Sequence, residues 1–168
     1  MALATPITIS QTANLIQDAL QDWARPYGGV ASIASNLKDL WNQASMNSQT
    51  PRILICFNGE TARGSFEQIS RWHRVDRSWI IAVTKGRGYY SNRGDSLSNG
   101  MSVEMPLFDA VENVRDVVRF LTTISEETPS PDYRNTKPMQ LGNLIVDGYT
   151  IEITTANDIP SRLEYPTV

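Results

Sequence analysis

Three features of the sequence predict an α+β fold: an antiparallel or mixed β-sheet with helices packed on one face and a long strand and loop protruding from it. The first is Ile69 to Thr84, ISRWHRVDRSWIIAVT, which reads as one long strand beside a shorter one at Arg52 to Phe57. The second is a set of apolar stripes at helical spacing, clearest in LFDAVENVRDVVRFLTTI after Pro106. The third is the order of elements: helix, helix, strand, long strand, loop, long helix, strand or hairpin. Only one interval between strands holds a convincing crossover helix, so the order disfavours a doubly wound parallel sheet.

Along the long stretch, one parity carries Trp72, Arg74, Asp76, Ser78, Ile80, Ala82 and Thr84, and the other His73, Val75, Arg77, Trp79, Ile81 and Val83. The second parity is the more apolar, which makes it the expected core face of a sheet. The first half of the stretch is polar on both faces. Such a strand is expected to start outside the core or at its rim, where its backbone needs a hairpin mate or another subunit.

In chain order, Ser10 is the expected N-cap of a helix reaching Trp23 or Ala24, with Leu15, Ile16, Ala19, Leu20 and Trp23 recurring every three or four residues. Arg25-Pro26 stops it, because a residue before proline is pushed out of helical space. A second helix is expected from about Ser32 to Gln43, presenting Ile33, Leu37, Leu40, Trp41 and Ala44, with Trp41 as a core contact. RILICF then forms a short apolar strand, and Asn58-Gly59 opens a broad loop. Residues 86–105 are expected to protrude as a Gly- and Tyr-rich loop, since a loop that long without a core is functional or disordered. The helix after Pro106 buries Leu107, Val111, Val114, Val117, Val118, Leu121 and Ile124, with Asp109 and Glu112 in its favourable first turns. SEETPSPDYRNTKP reads as a linker, LIVDGYTIEITT as a strand with a bulge or tight turn at Asp147-Gly148, and 156–168 as an extended tail. The whole, 1–168, is expected to be a single domain, large enough to bury a core without metal or disulfide support.

Charge and composition narrow the function. The single cysteine, Cys56, lies in an apolar strand and has no partner thiol in the chain. No basic segment with a following apolar run marks a signal peptide, and no run of apolar residues is long enough to span a membrane, so a soluble protein made in the cytoplasm is expected. Residues 60 to 95 hold seven Arg or Lys against four acids, whereas residues 101 to 168 hold eleven acids against five bases. In a self-associating protein that split orients neighbours.

Chemistry is harder to find. His73 is the only histidine, and Cys56 falls on a different and more buried strand, so no nucleophile and base come together and neither catalytic nor metal-binding residues are expected. Asp109, Glu112 and Asp116 read as a solvated helix face, and Gly86-Arg87-Gly88 completes no phosphate-loop pattern. No cofactor is implied. Arg71, Trp72, Arg74, Arg77, Arg87, Tyr89, Tyr90 and Arg93 are the residues expected to meet a neighbouring subunit or a tube, since Arg, Trp and Tyr dominate protein interfaces. The same residues, with Arg63 and Lys85, leave a nucleic-acid surface as the alternative.

The succession of the helix from Thr12 to Trp23, the PRILICF strand, the long RWHRVDRSWIIAV strand, the FDAVENVRDVVRFL helix and the closing GYTIEIT strand resembles the tail terminator and tail-completion proteins of long-tailed bacteriophages. The likeness covers roughly residues 10 to 157 and rests on element order. It implies a structural virion protein that forms a ring, commonly a hexamer, at the head-proximal end of the tail. Its partners would be the tail tube protein and a head-tail connector or neck protein, with at most transient contact with DNA and none with membrane. A second helix at Ser32 to Ala44 and a longer segment at Glu126 to Met139 depart from many members, leaving a neck or other minor tail station open.

Overall fold

In the computed structural model, residues 8–45, 52–62, 72–84, 107–119, 121, 131–141 and 144–160 are described. Helix α1 spans Ile9–Ala24, followed by a single 3-10 turn at Arg25–Tyr27 and strand β1 at Val30–Ala34. Helix α2 (Leu37–Ser45) leads to β2 (Arg52–Ala62) and β3 (Trp72–Thr84), and helix α3 (Leu107–Arg119) precedes β4 (Asp132–Leu141) and β5 (Leu144–Pro160). The five strands form one sheet in the order β1-β2-β3-β5-β4, with β1 parallel to β2 and every other pair antiparallel. The mixed sheet and α+β class agree with the sequence.

The core lies where strand parity placed it. Val75, Arg77, Trp79, Ile81 and Val83 are all buried on one face of β3, continuous with Ile53 and Ile55 of β2 and Ile151 and Ile153 of β5. Helices α1 and α3 cover this face with Ile16, Leu20, Leu107, Val114 and Val118. The expectation that all helices share that face fails for α2. Its Leu40 and Ala44 pack with Leu54, Cys56, Ala82 and Met139 on the opposite face, where Trp41 also rests. Since β1 and β2 are parallel, the chain must cross the sheet between them, and α1 and α3 already occupy the other side.

The long strand is central. β2 pairs with β3 from Arg52↔Thr84 to Ala62↔Val75, and β5 pairs with it from Thr84↔Gly148 to Trp72↔Pro160. From Val75 to Thr84 both backbone edges of β3 are thus matched within the chain, and Trp72–Arg74 are matched on the β5 side, so most of the strand has no need of an outside partner. Asn58-Gly59, expected to open a loop, is instead a bulge that β2 passes through. Phe57 faces Trp79 and Glu60 faces Arg77, so β2 carries one extra residue, and Gly59 takes the positive φ of 107° that a side chain would resist.

Four further differences follow, the first three with local causes. Thr8, not Ser10, caps α1: its hydroxyl accepts from the Gln11 N–H and the Gln11 side chain accepts from the Thr8 N–H. Val30–Ala34 is a strand where a helix start was expected, because the Ile33–Leu37–Leu40 spacing imitates helical periodicity across a break. At that break Asn36 Oδ1 accepts from the Asp39 N–H at 2.8 Å, starting α2 afresh. The expected linker around Pro131 to Pro138 contains β4, whose place at the sheet edge tolerates Pro138 without breaking a central ladder. Ala156–Pro160, expected in the tail, continue β5 opposite β3. The loop 86–105 and residues 161–168 lie outside the described residues.

Candidate docking surfaces

The interface residues expected from sequence separate into four kinds. Arg74 is exposed on β3, opposite Asp158 of β5. Arg77 is on the buried face, its side chain 5% exposed, and its Nε donates to Glu60 Oε2 at 2.8 Å. That geometry makes Arg77 an internal strut across the β2 bulge and withdraws it from any external partner. Trp72 takes its backbone place opposite Pro160. Arg71, Arg87, Tyr89, Tyr90 and Arg93 lie outside the described residues.

What sequence reasoning missed is the distribution of exposed apolar side chains. Among the described residues the large ones are Ile9, Val30, Ile33, Leu37, Phe108 and Tyr133. The four aliphatics lie on β1 or at the helix ends beside it, whereas Phe108 and Tyr133 belong to the β4–β5 side of the sheet. Four strand spacings, about 19 Å, separate the two edges.

At the β1 edge, the backbone that a further strand would pair with is partly occupied. Gln21 Oε1 accepts from the Ala31 N–H at 2.9 Å and its Nε2 donates to the Gly29 carbonyl at 3.2 Å, while Gln17 Nε2 donates to the Ala31 carbonyl at 3.1 Å. The two glutamines are four residues apart on α1, so one helix face reads the strand edge and blocks its extension. Further along β1 a cleft of about 250 Å³ opens between the start of α1 and the sheet. Ile9, Ala13 and Ile33 form its walls, Phe57 and the fully buried Trp79 its floor, and Ser10, Asn14 and Ser35 lie around them. The Trp79 indole N–H is held by Thr155 Oγ1 at 2.9 Å, and its ring meets Phe57 at a centroid distance of 5.3 Å, which fixes the floor.

Ser35 is fixed by Asp39. Both the Ser35 N–H and its hydroxyl donate to Asp39 Oδ2, at 2.9 and 3.1 Å, and Gln43 Nε2 adds a third bond at 3.0 Å. These bonds, the Ser35 backbone N–H first, hold the Asp39 carboxyl below its ordinary range. Burial, with a smaller push from Asp39, raises the Cys56 thiol above its ordinary value, so Cys56 is a neutral core residue.

At the other edge the exposed groups are aromatic. Phe108 lies edge-on to Tyr149 at 5.9 Å, the Arg115 guanidinium stands 5.8 Å above the Tyr133 ring, and the Tyr133 hydroxyl is 2.8 Å from Thr136 Oγ1. The Asp116 carboxylate accepts from Arg115 and lifts that guanidinium's pKa, keeping it charged. Phe108 interrupts the wet side of α3 beside Asp109, four residues before Glu112, and that misplaced aromatic was the signal available in the sequence.

Among the described residues no three His, Cys, Asp or Glu side chains are grouped to hold a metal ion, and no helix is long and apolar enough to cross a membrane. The chain matches no protein-family model, and no curated protein matches its sequence.

Proposed function

We propose that this chain is a structural, non-enzymatic virion protein that forms a ring capping the tail tube and joining it to the head connector. The observation that carries the reading is the division of exposed apolar groups into two chemically unlike sets, one around β1 and one on the β5–β4 side of the sheet. A twofold dimer needs one self-complementary patch, whereas a ring joins each copy to the next through two different patches. Unlike edges fit the second requirement. The uneven charge of the sequence favours the same head-to-tail arrangement.

In this reading the ring is a hexamer, built in the host cytoplasm and kept at the head-proximal end of the tail, with the tube protein on one side and a connector or neck protein on the other. DNA passes its lumen only transiently. Support for the tail station comes from the order of elements, an N-terminal helix, an apolar strand, a long central strand, an amphipathic helix and a closing strand. The test is to mix the purified protein with tail tubes of the virus that encodes it and image the product. A closed ring at one end of each tube, with further tube growth arrested, is the expected outcome. Binding along tube sides, or none, overturns the proposal.

A further inference from the structure

We infer that the contact between neighbouring copies is made by Phe108 of one copy entering the cleft at the start of α1 in the next. This rests on the ring reading and specifies its interface.

Three observations converge on that pairing. Phe108 is half exposed, 50%, on the wet face of α3 beside Asp109, and its ring meets Tyr149 edge-on at 5.9 Å. The cleft offers what such a ring lacks: aliphatic walls from Ile9, Ala13 and Ile33 and an aromatic floor. At about 250 Å³ it falls below the roughly 300–1,000 Å³ of small-molecule sites, a size suited to one inserted side chain. An aromatic side chain seated in a pocket is the usual centre of binding energy at an interface.

Electrostatics select the same partner. The first turn of α1 contains no acid, so its positive dipole end carries only the neutral Thr8–Gln11 cap. Around the cleft Ser10 carries a hydroxyl and Asn14 an amide, both capable of donating hydrogen bonds, while the donors of Ser35 are taken up by Asp39. Phe108 is flanked by the exposed Asp109 and, one turn on, Glu112. The first turn of α1 and the Ser10 and Asn14 donors therefore suit an acid-flanked aromatic. Both features lie at the N-terminal ends of their helices but over different parts of the sheet, α1 over β1 and β2 and α3 over β3, β5 and β4. A contact that joins one cleft to one Phe108 leaves a free cleft and a free Phe108 on the pair and so propagates head to tail, whereas a reciprocal twofold exchange would close at two copies and overturn the ring.

Cross-linking with single cysteines tests this, because native Cys56 is buried. Copies carrying Ser10→Cys are mixed with copies carrying Glu112→Cys under mild oxidation, in solution and on tail tubes. The mixed 10–112 link is expected to form well ahead of 10–10 or 112–112 links. Phe108→Ala, at an exposed position, should keep the fold by circular dichroism while weakening association about thirtyfold. Association by sedimentation without preference for the mixed link, or undiminished by Phe108→Ala, overturns this contact and leaves the ring standing. Absence of association both in solution and on tubes overturns ring and contact together.

Discussion

The two edges of this sheet are finished in different ways. At β1, the Gln17 and Gln21 side chains of α1 take up the outward backbone groups of Ala31, and exposed aliphatics surround a cleft. At β4, proline, charge and polar side chains discourage pairing, and the exposed apolar groups are aromatic. Both devices prevent indiscriminate strand addition while leaving side chains available for contact. A protein with two edges closed to backbone pairing but open to side-chain docking selects its partner by shape, and the difference between the edges gives that selection a direction.

The contrast breaks hardest at the strand both edges share. Trp79→Ala removes the floor of the cleft, leaves Thr155 Oγ1 without its indole donor and opens a cavity in the central core. A loss of about 3–5 kcal/mol is expected, measured by chemical unfolding. On the β4 side, Gly148→Ala brings a Cβ to 2.6 Å from the Val83 carbonyl oxygen and 3.1 Å from Met139 Sδ, where only a shift of the backbone relieves it. About 1–3 kcal/mol should be lost, with the β5 amides near Gly148 losing protection from hydrogen exchange. On the β1 side, Gln21→Ala strips the buried Ala31 N–H of its acceptor. About 1 kcal/mol is expected, and the Ala31 amide should exchange faster while β4 and β5 stay unchanged.

The smallest effect is a dependence on acid. Asp39 has a folded pKa below its unfolded value, so its contribution is present above the unfolded value of 3.8 and is lost as pH falls through the folded one. Below that window Ser35 loses its anchor beside the cleft. Asp39→Asn should flatten the acid side of the stability curve, read by thermal unfolding from pH 5 downward. At the alkaline end the sign reverses for Cys56: the unfolded thiol ionises near 9.0 while the buried one stays neutral, so stability falls as pH rises above that value.

Much of this fold was legible because its strands and long helices obey simple periods. Alternation along Val75 to Val83 identified the buried face, and the valine stripe of α3 identified its core side. Pairing partners were less legible. The polar half of β3 looked unsupported because its mates are the poorly patterned ends of neighbouring strands: Glu60–Ala62 beyond a bulge and Ala156–Pro160 beyond the alternating run. β1 was hidden by a spacing that fits two periods, and β4 by prolines that only an edge accepts. The docking surfaces were legible only in part, since the cleft is assembled from four elements distant in sequence. Arg77 was misread because a charged residue on a polar strand looks available until its partner, Glu60, is seen.

The direction of assembly is tested most directly by mixing two damaged copies. Ile9→Glu fills the cleft of one with a carboxylate, and Phe108→Glu removes the knob of the other; each acid falls in the first turn of a helix, where the dipole favours it. Neither variant should assemble alone, while the mixture should yield a heterodimer by sedimentation, joined through the one intact cleft and the one intact Phe108. A mixture as inert as its components, or either variant assembling like the unaltered chain, would contradict head-to-tail docking.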